Sequence, residues 1–365
     1  MISKYLLILL ILSFSFCAGT AKNIRATKYE GLKNIPENSK DTSKKDNVEI
    51  KYLGTSGFLI KRGNISLLTA PFFSNPNFLR LGLWKIHPVP ERIDKGMKDV
   101  DVSNVKVILI GHAHYDHAMD IPYIHQKYTP NADILSNNSA KNLLLSKDIN
   151  PPIPENKIHV MDKVSANLWT EGIWFCYSNS GKTDCDSKEV KFRIMGIRSE
   201  HAPHFFGVKL YQGEVEEVPD SLPVRAESWK EGQTLSYIID FMGEKGNIDF
   251  RIHFQDSSSN SPFGFPPAFR DKDKKNIDVA LMCIPGWKEN NNFPQEFVLN
   301  TKPSYIILSH WENFFKEIPD DLKELTYVPN NDPDDFIEKL DKVVENKNKY
   351  FLPYPGASFK FDINK

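Results

Sequence analysis

The sequence lacks an excess of charge of either sign. Its 365 residues include 46 Lys and Arg against 47 Asp and Glu, which leaves a formal net charge of −1. Such a chain has no broad electrostatic field to attract nucleic acid or an anionic membrane surface, so nucleic-acid binding is not expected. With 40% hydrophobic and 25% charged residues, its composition is that of a folded globular protein, not of a disordered chain or a multi-span membrane protein.

Long apolar runs are also missing, except near the N-terminus. The run Tyr5–Cys17 is shorter than the roughly 20 residues that a spanning helix needs. It follows a basic residue and precedes a cluster of small residues, so residues 1–21 are predicted to form an export signal. Cleavage after Ala21 would release a soluble protein, whereas lipidation of Cys17 would give a membrane-anchored lipoprotein; both remain open. Residues 22–47, rich in Lys, Asn, Glu, Ser and Asp, are predicted to be a flexible tether.

Cysteine is rare, with four residues in the whole chain. Cys176 and Cys185 flank the turn-like stretch YSNSGKTD, and an exported protein could close them as a disulfide. Two unpaired thiols are the alternative. Cys283 lies in the apolar run VALMCIP, which predicts a position in the core.

Residues 48–360 are predicted to form one α/β domain, because short apolar runs alternate there with segments of helical composition. The early runs are separated only by short turns, which favours antiparallel hairpins, whereas the later spacing leaves room for helices. Strands with helices outside them predict a layered sandwich. The predicted strands are EIKYLG, GFLIKR, ISLLTA, VKVILI, KFRIMGIR, TLSYIIDF, DFRIHF, DVALMCI and SYIILS, and the predicted helices are Pro122–Tyr128, Ala140–Ser146 and Asp334–Lys347.

The most informative segment is HAHYDH, directly after the predicted strand VKVILI. Three imidazoles and a carboxylate within six residues are hard to explain by packing, because each would need its own buried partner. In an extended chain the spacing of two directs His112 and His114 to the same side. Asp116 and His117 would then begin the next turn and face a second position. Imidazole and carboxylate without thiolate are typical ligands of zinc, iron or manganese.

Three further predicted strands end at a residue that commonly binds metal. His201 follows KFRIMGIR, Asp256 follows DFRIHF, and His310 follows SYIILS. Each lies in phase with apolar residues of its strand: His201 with Met195 and Ile197, Asp256 with Ile252 and Phe254, and His310 with Ile306 and Leu308. Strand ends are where scaffolds carry functional loops. If the four ends meet at one edge, they supply seven ligands, which is enough for two metal ions.

These motifs resemble the metallo-β-lactamase-fold hydrolases, and the resemblance covers residues 48–360. The segments YLGTSGFLIKRGNISLLTAPFFSNP, SEHAPHFFG and LSHWENFF are similar to the branch that contains the N-acyl-phosphatidylethanolamine-hydrolysing phospholipase D and sugar-phosphate lactonases. The resemblance implies an αββα sandwich with a dinuclear site along one edge. It also implies the ligands: His112, His114 and His201 for the first metal, Asp116, His117 and His310 for the second, and Asp256 bridging the two.

One residue departs from this branch. The branch usually carries Asp before Pro-Phe, close to the metal site, whereas this chain has Ala70. Residues that support metal ligands are worth roughly 10 to 100-fold in affinity or activity. The departure therefore puts catalytic strength in question more than metal binding.

The sequence thus predicts an exported hydrolase in which two divalent ions, zinc by default, activate water, with Asp116 orienting it or moving its proton. A phosphodiester, lipid-like or not, is the first expected substrate. The alternatives are a lactone or carboxylic ester, and a metal-dependent binding protein without catalysis. His204 and the aromatic residues Phe73 and Trp84 are candidates for contacting a small-molecule substrate. Membrane association is expected only through a lipid on Cys17.

Overall fold

The computed structural model describes residues 46–204, 207–345 and 349–363. The export signal predicted for residues 1–21, with Cys17, and nearly all of the tether predicted for residues 22–47 lie outside this part of the chain. The last tether residue, Asn47, already belongs to the first strand. In the described ranges, no helix is both long enough and apolar enough to cross a bilayer.

The first sheet has seven strands in the order β15-β1-β2-β3-β4-β5-β6. Antiparallel pairing joins β15, β1, β2 and β3, as the short turns predict, and parallel pairing joins β3 to β6. The strands are β1 (Asn47–Gly54), β2 (Gly57–Arg62), β3 (Ile65–Thr69), β4 (Val105–Leu109), β5 (Asp133–Ser136), β6 (Ile158–Val160) and β15 (Ser358–Asp362).

The second sheet has eight strands in the order β14-β13-β12-β11-β10-β9-β7-β8. Its pairing is parallel from β11 to β14 and antiparallel elsewhere. The strands are β7 (Phe175–Ser178), β8 (Gly181–Thr183), β9 (Phe192–Arg198), β10 (Leu235–Met242), β11 (Ile248–Gln255), β12 (Val279–Cys283), β13 (Tyr305–Ser309) and β14 (Tyr350–Phe351).

Seven α-helices accompany the sheets in the described ranges. They are α1 (Phe78–Leu83), α2 (Pro90–Met97), α3 (Tyr115–Ala118), α4 (Ile121–Tyr128), α5 (Asn138–Leu144), α6 (Gln295–Thr301) and α7 (Pro333–Leu340). Helices α1 to α5 share one apolar cluster with the first sheet, and α6 and α7 share another with the second sheet. A third cluster joins the facing sides of the two sheets. The four layers are therefore the predicted αββα sandwich.

All nine predicted strands are present, and two of the three predicted helices match α4 and α5 within two residues at each end. The third, predicted for Asp334–Lys347, ends earlier, because α7 stops at Leu340. The chain then turns, and the N–H groups of Val343 and Val344 donate to the carbonyl of Leu340. Val344 is buried against the second sheet. Helical composition continues past Leu340, but packing ends the helix there.

The cysteines follow the sequence pattern. Cys176 and Cys185 form a disulfide with a Cα–Cα distance of 5.1 Å, which decides between the two alternatives left open by the sequence. It closes the β7–β8 hairpin at one edge of the second sheet. Cys283 is a free, buried thiol, as predicted.

Candidate metal centre

The histidine-rich segment forms the turn between β4 and α3. His114 has an extended backbone, with φ −63° and ψ 156°, and α3 begins at the next residue. Asp116 and His117 therefore lie in the first turn of a short helix, while His112 and His114 precede it on extended chain. The four side chains are buried.

The other three predicted ligands come from the second sheet. His201 lies three residues after β9, Asp256 directly follows β11, and His310 directly follows β13. The sandwich brings these strand ends to the edge at which β4 ends. All seven predicted ligands consequently meet in one site.

The first ligand group consists of His112, His114 and His201, whose ring centroids lie 4.6 to 4.7 Å apart. The Nδ1–H of His201 donates to the carbonyl of Ala202 at 2.6 Å. This bond leaves the lone pair on Nε2 of His201, the form in which an imidazole binds metal.

The second ligand group consists of Asp116, His117 and His310. Oδ2 of Asp116 lies 3.4 Å from Nε2 of His117 and 3.3 Å from Nε2 of His310. One carboxylate oxygen is thus shared between two imidazoles.

Asp256 connects the two groups. Its Oδ1 lies 3.2 Å from Nδ1 of His112, and its Oδ2 lies 3.3 Å from Nδ1 of His117. Asp256 is only 2% exposed, so bulk water does not solvate its charge and partners within the protein have to stabilise it. The two oxygens of one buried carboxylate therefore face ligands of different groups.

The electrostatics of this site suit a cation. Burial lowers the pKa of His112, His114 and His201, and neighbouring imidazoles lower it further, which favours the neutral forms of these rings. Burial also opposes the charged form of His117, but Asp116 and Asp256 raise its pKa to about 10. The carboxylates thus stabilise positive charge in the centre of the cluster.

Unpartnered polar atoms provide a test of whether these residues fit a metal. Within the described part of the chain, five buried side-chain atoms of these residues have no hydrogen bond of normal geometry, although the two from His117 and Asp256 lie 3.3 Å apart: Nε2 of His112, Nε2 of His114, Nδ1 of His117, Oδ2 of Asp256 and Nδ1 of His310. Unsatisfied buried polar atoms are costly, and a divalent ion is the partner that imidazole nitrogens and carboxylate oxygens accept together. The residues therefore fit divalent metal binding.

The ligands form the floor of a cavity of about 290 Å³. Its walls are mainly apolar and come from α1, from the segment after His201 and from the segment after His310. The apolar wall residues include Phe78, Leu81, Val208, Leu210, Tyr211, Phe314, Phe315 and Val328. No Lys or Arg is present among the described residues that line the cavity.

Of the three candidate substrate contacts, only His204 lines this cavity. The backbone N–H of Leu210 donates to Nδ1 of His204 at 3.1 Å, so the proton of the neutral ring is on Nε2. Phe73 is instead buried in the cluster of the first sheet. Trp84 is 56% exposed and lines a separate surface groove with Arg80. Aromatic content alone does not separate wall residues from core or surface residues.

Asp120 is a buried carboxylate near the histidine-rich segment that the sequence analysis did not single out. It is fully buried after α3, and its Oδ2 accepts hydrogen bonds from the backbone N–H groups of Phe73 and Ser74. Its Oδ1 accepts a third bond from the hydroxyl of Ser74. The feature of the sequence that could have identified Asp120 is its position three residues after His117. Ala70 is buried, and its N–H donates to the carbonyl of Leu109. Because this residue is an alanine, the position provides no carboxylate.

The layers, the strand order and the site at the sheet edge now decide the fold. The chain has the metallo-β-lactamase fold. In this fold the four ligand-bearing strand ends share one edge, with the apolar cavity above them.

Comparisons with known proteins find similar solved structures at low identity. No family model matches the chain, and no curated protein matches it. It is similar to the solved structure of Igni18, a metallo hydrolase from Ignicoccus hospitalis KIN4/I, with 14% identity and a TM-score of 0.49 over 87% of this chain and 99% of that chain. It is also similar to the metallo-β-lactamase-fold protein YhfI from Bacillus subtilis, with 12% identity and a TM-score of 0.44 over 87% and 100% of the two chains.

A third similar structure is described as a possible metal-dependent hydrolase from Veillonella parvula DSM 2008. It has 13% identity and a TM-score of 0.44 over 86% of this chain and 98% of that chain. At these identities, the chemistry of the chain follows from its own residues.

Proposed function

We propose that the chain is an exported hydrolase that uses two divalent metal ions, zinc by default, to cleave a phosphodiester or a related ester. The observation that carries this proposal is the position of Asp256. Its two carboxylate oxygens face the two ligand groups, so one residue can bridge two ions. Sites of this kind occur in hydrolases that activate water between two metals.

Divalent ions bound there would supply Lewis-acid activation of water and stabilise charge on the reacting oxygen. The protein residues have separate tasks. The carboxylate of Asp116, held between His117 and His310, can orient the attacking water and accept its proton. His204 is part of the cavity lining, where its ring can contact the substrate. The apolar walls exclude competing water.

The cavity walls support a substrate whose remaining part is apolar and uncharged. The walls provide rings and aliphatic side chains but, as far as the lining is described, no cationic side chain. A second phosphate on the substrate would have no Lys or Arg partner there. This argues against a sugar phosphate and favours an ester with an alkyl or aromatic group.

The same observation favours a second candidate, a carboxylic ester or lactone hydrolase. A neutral carbonyl substrate needs no cation in the wall, and the two ions would be sufficient to stabilise its tetrahedral oxyanion. A non-catalytic metal-dependent binding protein is the candidate that Ala70 favours, since that position supplies no supporting carboxylate.

Hydrolysis assays with defined metal content separate these candidates. Protein freed of metal would be loaded with Zn²⁺, Fe²⁺ or Mn²⁺ and assayed with bis(p-nitrophenyl) phosphate, a p-nitrophenyl carboxylate and a lactone. We expect turnover of the phosphodiester, and a loss of kcat/KM of about 100-fold or more in His114→Ala. Turnover of only the carboxylate or lactone would support the second candidate. Two bound ions without turnover of any substrate would support the binding protein.

The matched control is His125→Ala. His125 is also a buried histidine, but its Nε2 bonds to the carbonyl of Ala132 on the outer side of the first sheet. Its loss should affect stability and leave metal content unchanged. Equal loss of metal in both variants would contradict the assignment of His114.

Export is part of the proposal and is supported by the N-terminal sequence and by the Cys176–Cys185 disulfide, since disulfides persist in oxidising compartments. Mass spectrometry of the processed N-terminus distinguishes its two forms. A diacylglyceryl group on Cys17 would establish a lipoprotein, whereas a mature chain starting at Lys22 would establish a released enzyme.

A further inference from the structure

His310 has an unusual backbone for a metal ligand. Its φ is 60°, in the left-handed region that residues with a side chain rarely adopt. The residue follows β13 directly, so this turn re-aims the chain at the point where the ligand leaves the sheet. Such conformations persist only where the surroundings hold them. The question is which residues hold His310.

The contact to the backbone of His310 comes from Tyr52, on the other sheet. The hydroxyl of Tyr52 accepts a hydrogen bond from the backbone N–H of His310 at 3.0 Å. The same hydroxyl donates to Oε2 of Glu312 at 2.6 Å. Tyr52 and Glu312 are both almost completely buried. One hydroxyl thus connects the ligand's backbone to a carboxylate two residues further along the chain.

Glu312 is itself held on its other side. Its Oε1 accepts a short hydrogen bond from the backbone N–H of Thr55, in the turn between β1 and β2. A Cβ on Gly54 would lie 3.2 Å from this oxygen, so the turn closes tightly on the carboxylate. The segments containing Tyr52 and Glu312 resemble the hydrolase family, yet neither residue has a role in the metal centre described above.

We propose that Tyr52 and Glu312 are positioning residues that fix the ligand geometry of the second metal position by holding His310 in its left-handed conformation. They do not contact the ions or the substrate. Their effect passes through the backbone of His310 to its Nε2, which faces Asp116. This inference rests on the proposed function, because it concerns one of the two proposed ion positions.

A purely structural role makes a different prediction. If the three hydrogen bonds only joined the two sheets, their loss would lower the stability of the fold and weaken the binding of both ions equally. If they position His310, their loss weakens binding of the ion at Asp116, His117 and His310. The affinity for the ion at His112, His114 and His201 stays unchanged. Selectivity between the ions therefore separates the two roles.

The test is metal binding by Tyr52→Phe and Glu312→Gln, measured without substrate. Zn²⁺ affinities would come from competition with a chromophoric chelator, and Co²⁺ spectra would report the geometry of each position. In both variants we expect one ion with wild-type affinity and one weakened about 10 to 100-fold, the size found for residues that orient metal ligands. Excess Zn²⁺ should restore hydrolysis.

Tyr177→Phe is the matched control. Tyr177 is a fully buried tyrosine between the sheets on β7, and it does not contact the ligands. This variant should bind both ions like the wild type. Wild-type affinity for both ions in Tyr52→Phe and Glu312→Gln would overturn the inference, as would equal weakening of both ions. A wild-type chain that binds fewer than two ions would instead refute the proposed function, and the inference with it.

Discussion

Gly111 lies directly against the carboxylate of Asp256. A Cβ at position 111 would be 2.2 Å from Oδ2 of Asp256 and 2.3 Å from Oδ1, far inside contact distance. Asp256 is buried and its side chain is short, so it has little room to move away. The bare backbone at Gly111 is therefore what allows the carboxylate to sit between the two ligand groups.

Gly111→Ala should displace the carboxylate of Asp256 and weaken the binding of both proposed ions. We expect loss of at least one bound metal per chain and a fall in kcat/KM of about 100-fold or more, because an ångström-scale shift of a catalytic centre is already costly. Metal analysis and kinetics on the purified variant provide the measurement.

Gly196→Ala is the control for this substitution. Gly196 lies on β9, and the nearest atom to its added Cβ is the flexible terminal methyl of Met161 at 3.2 Å. This variant should keep its metal. If Gly111→Ala also keeps two ions and full activity, the packing of Asp256 against Gly111 does not matter for the site.

Asp120 should make stability depend on pH. Burial raises the pKa of Asp120 to about 6, despite the opposing hydrogen bonds from Ser74 and Phe73. Because the folded-state pKa exceeds the unfolded value, its contribution to stability is fully present below about pH 4. It is lost as the pH rises to about 6, by about 3 kcal/mol.

Asp120→Asn cannot ionise and should lack this loss. Both proteins would be unfolded with urea in the presence of a chelator between pH 4 and pH 7. As the pH rises, the unfolding free energy of Asp120→Asn should increase by about 3 kcal/mol relative to that of the wild type. A difference that is constant with pH would show that Asp120 titrates with its ordinary pKa.

Phe315→Ala should reveal the apolar part of the substrate. Its ring lies 4.2 Å from the ring of Phe78, centroid to centroid, and both line the cavity. Removing a partly buried phenyl contact should raise KM by about 10-fold or more for a p-nitrophenyl phosphodiester with an octyl group, and little for the methyl analogue. The value of kcat should change little, because the ring is not a ligand.

The exposed Trp84 is the control for this prediction, since it lies outside the cavity lining. Trp84→Ala should leave both KM values unchanged. An equal rise in KM for the octyl and methyl substrates in Phe315→Ala would argue against binding of the alkyl group in this cavity.

The disulfide should stabilise the protein without influencing catalysis. Cys176 and Cys185 are nine positions apart, and closing so short a loop is worth about 3 kcal/mol. The hairpin that they close lies at the edge strand β8 of the second sheet. The double variant Cys176→Ala, Cys185→Ala should unfold at lower denaturant concentration with unchanged kcat/KM. Loss of activity in the still-folded variant would link this hairpin to the site.

Much of the site was predictable because its ligands are encoded locally. In HAHYDH, chain connectivity alone keeps His112, His114, Asp116 and His117 together, and strand alternation gave the phase of Asp256 and His310. The nine strands were predictable for the same reason, since their apolar residues are continuous or alternate over a few positions. The end of α7 was not, because the polar and apolar pattern continues after Leu340 while the chain turns.

The aromatic residues show where a local pattern stops being informative. Phe73, Trp84 and Phe315 are equally apolar in sequence, yet the first is core, the second is exposed and the third lines the cavity. Hydrophobicity predicts that a side chain avoids water, but not which surface it meets. That choice depends on how α1 and the segment after β13 approach each other above the ligands.

The sequence by itself determined which side chains can bind metal and on which strand ends they lie, because those properties are set by residue type and by neighbours along the chain. Only the tertiary structure decided that Gly111 makes room for Asp256, and that the hydroxyl of Tyr52 reaches Glu312 across 260 positions. These relationships arise when two sheets pack face to face. No periodicity within either segment encodes the partner that packing brings to it.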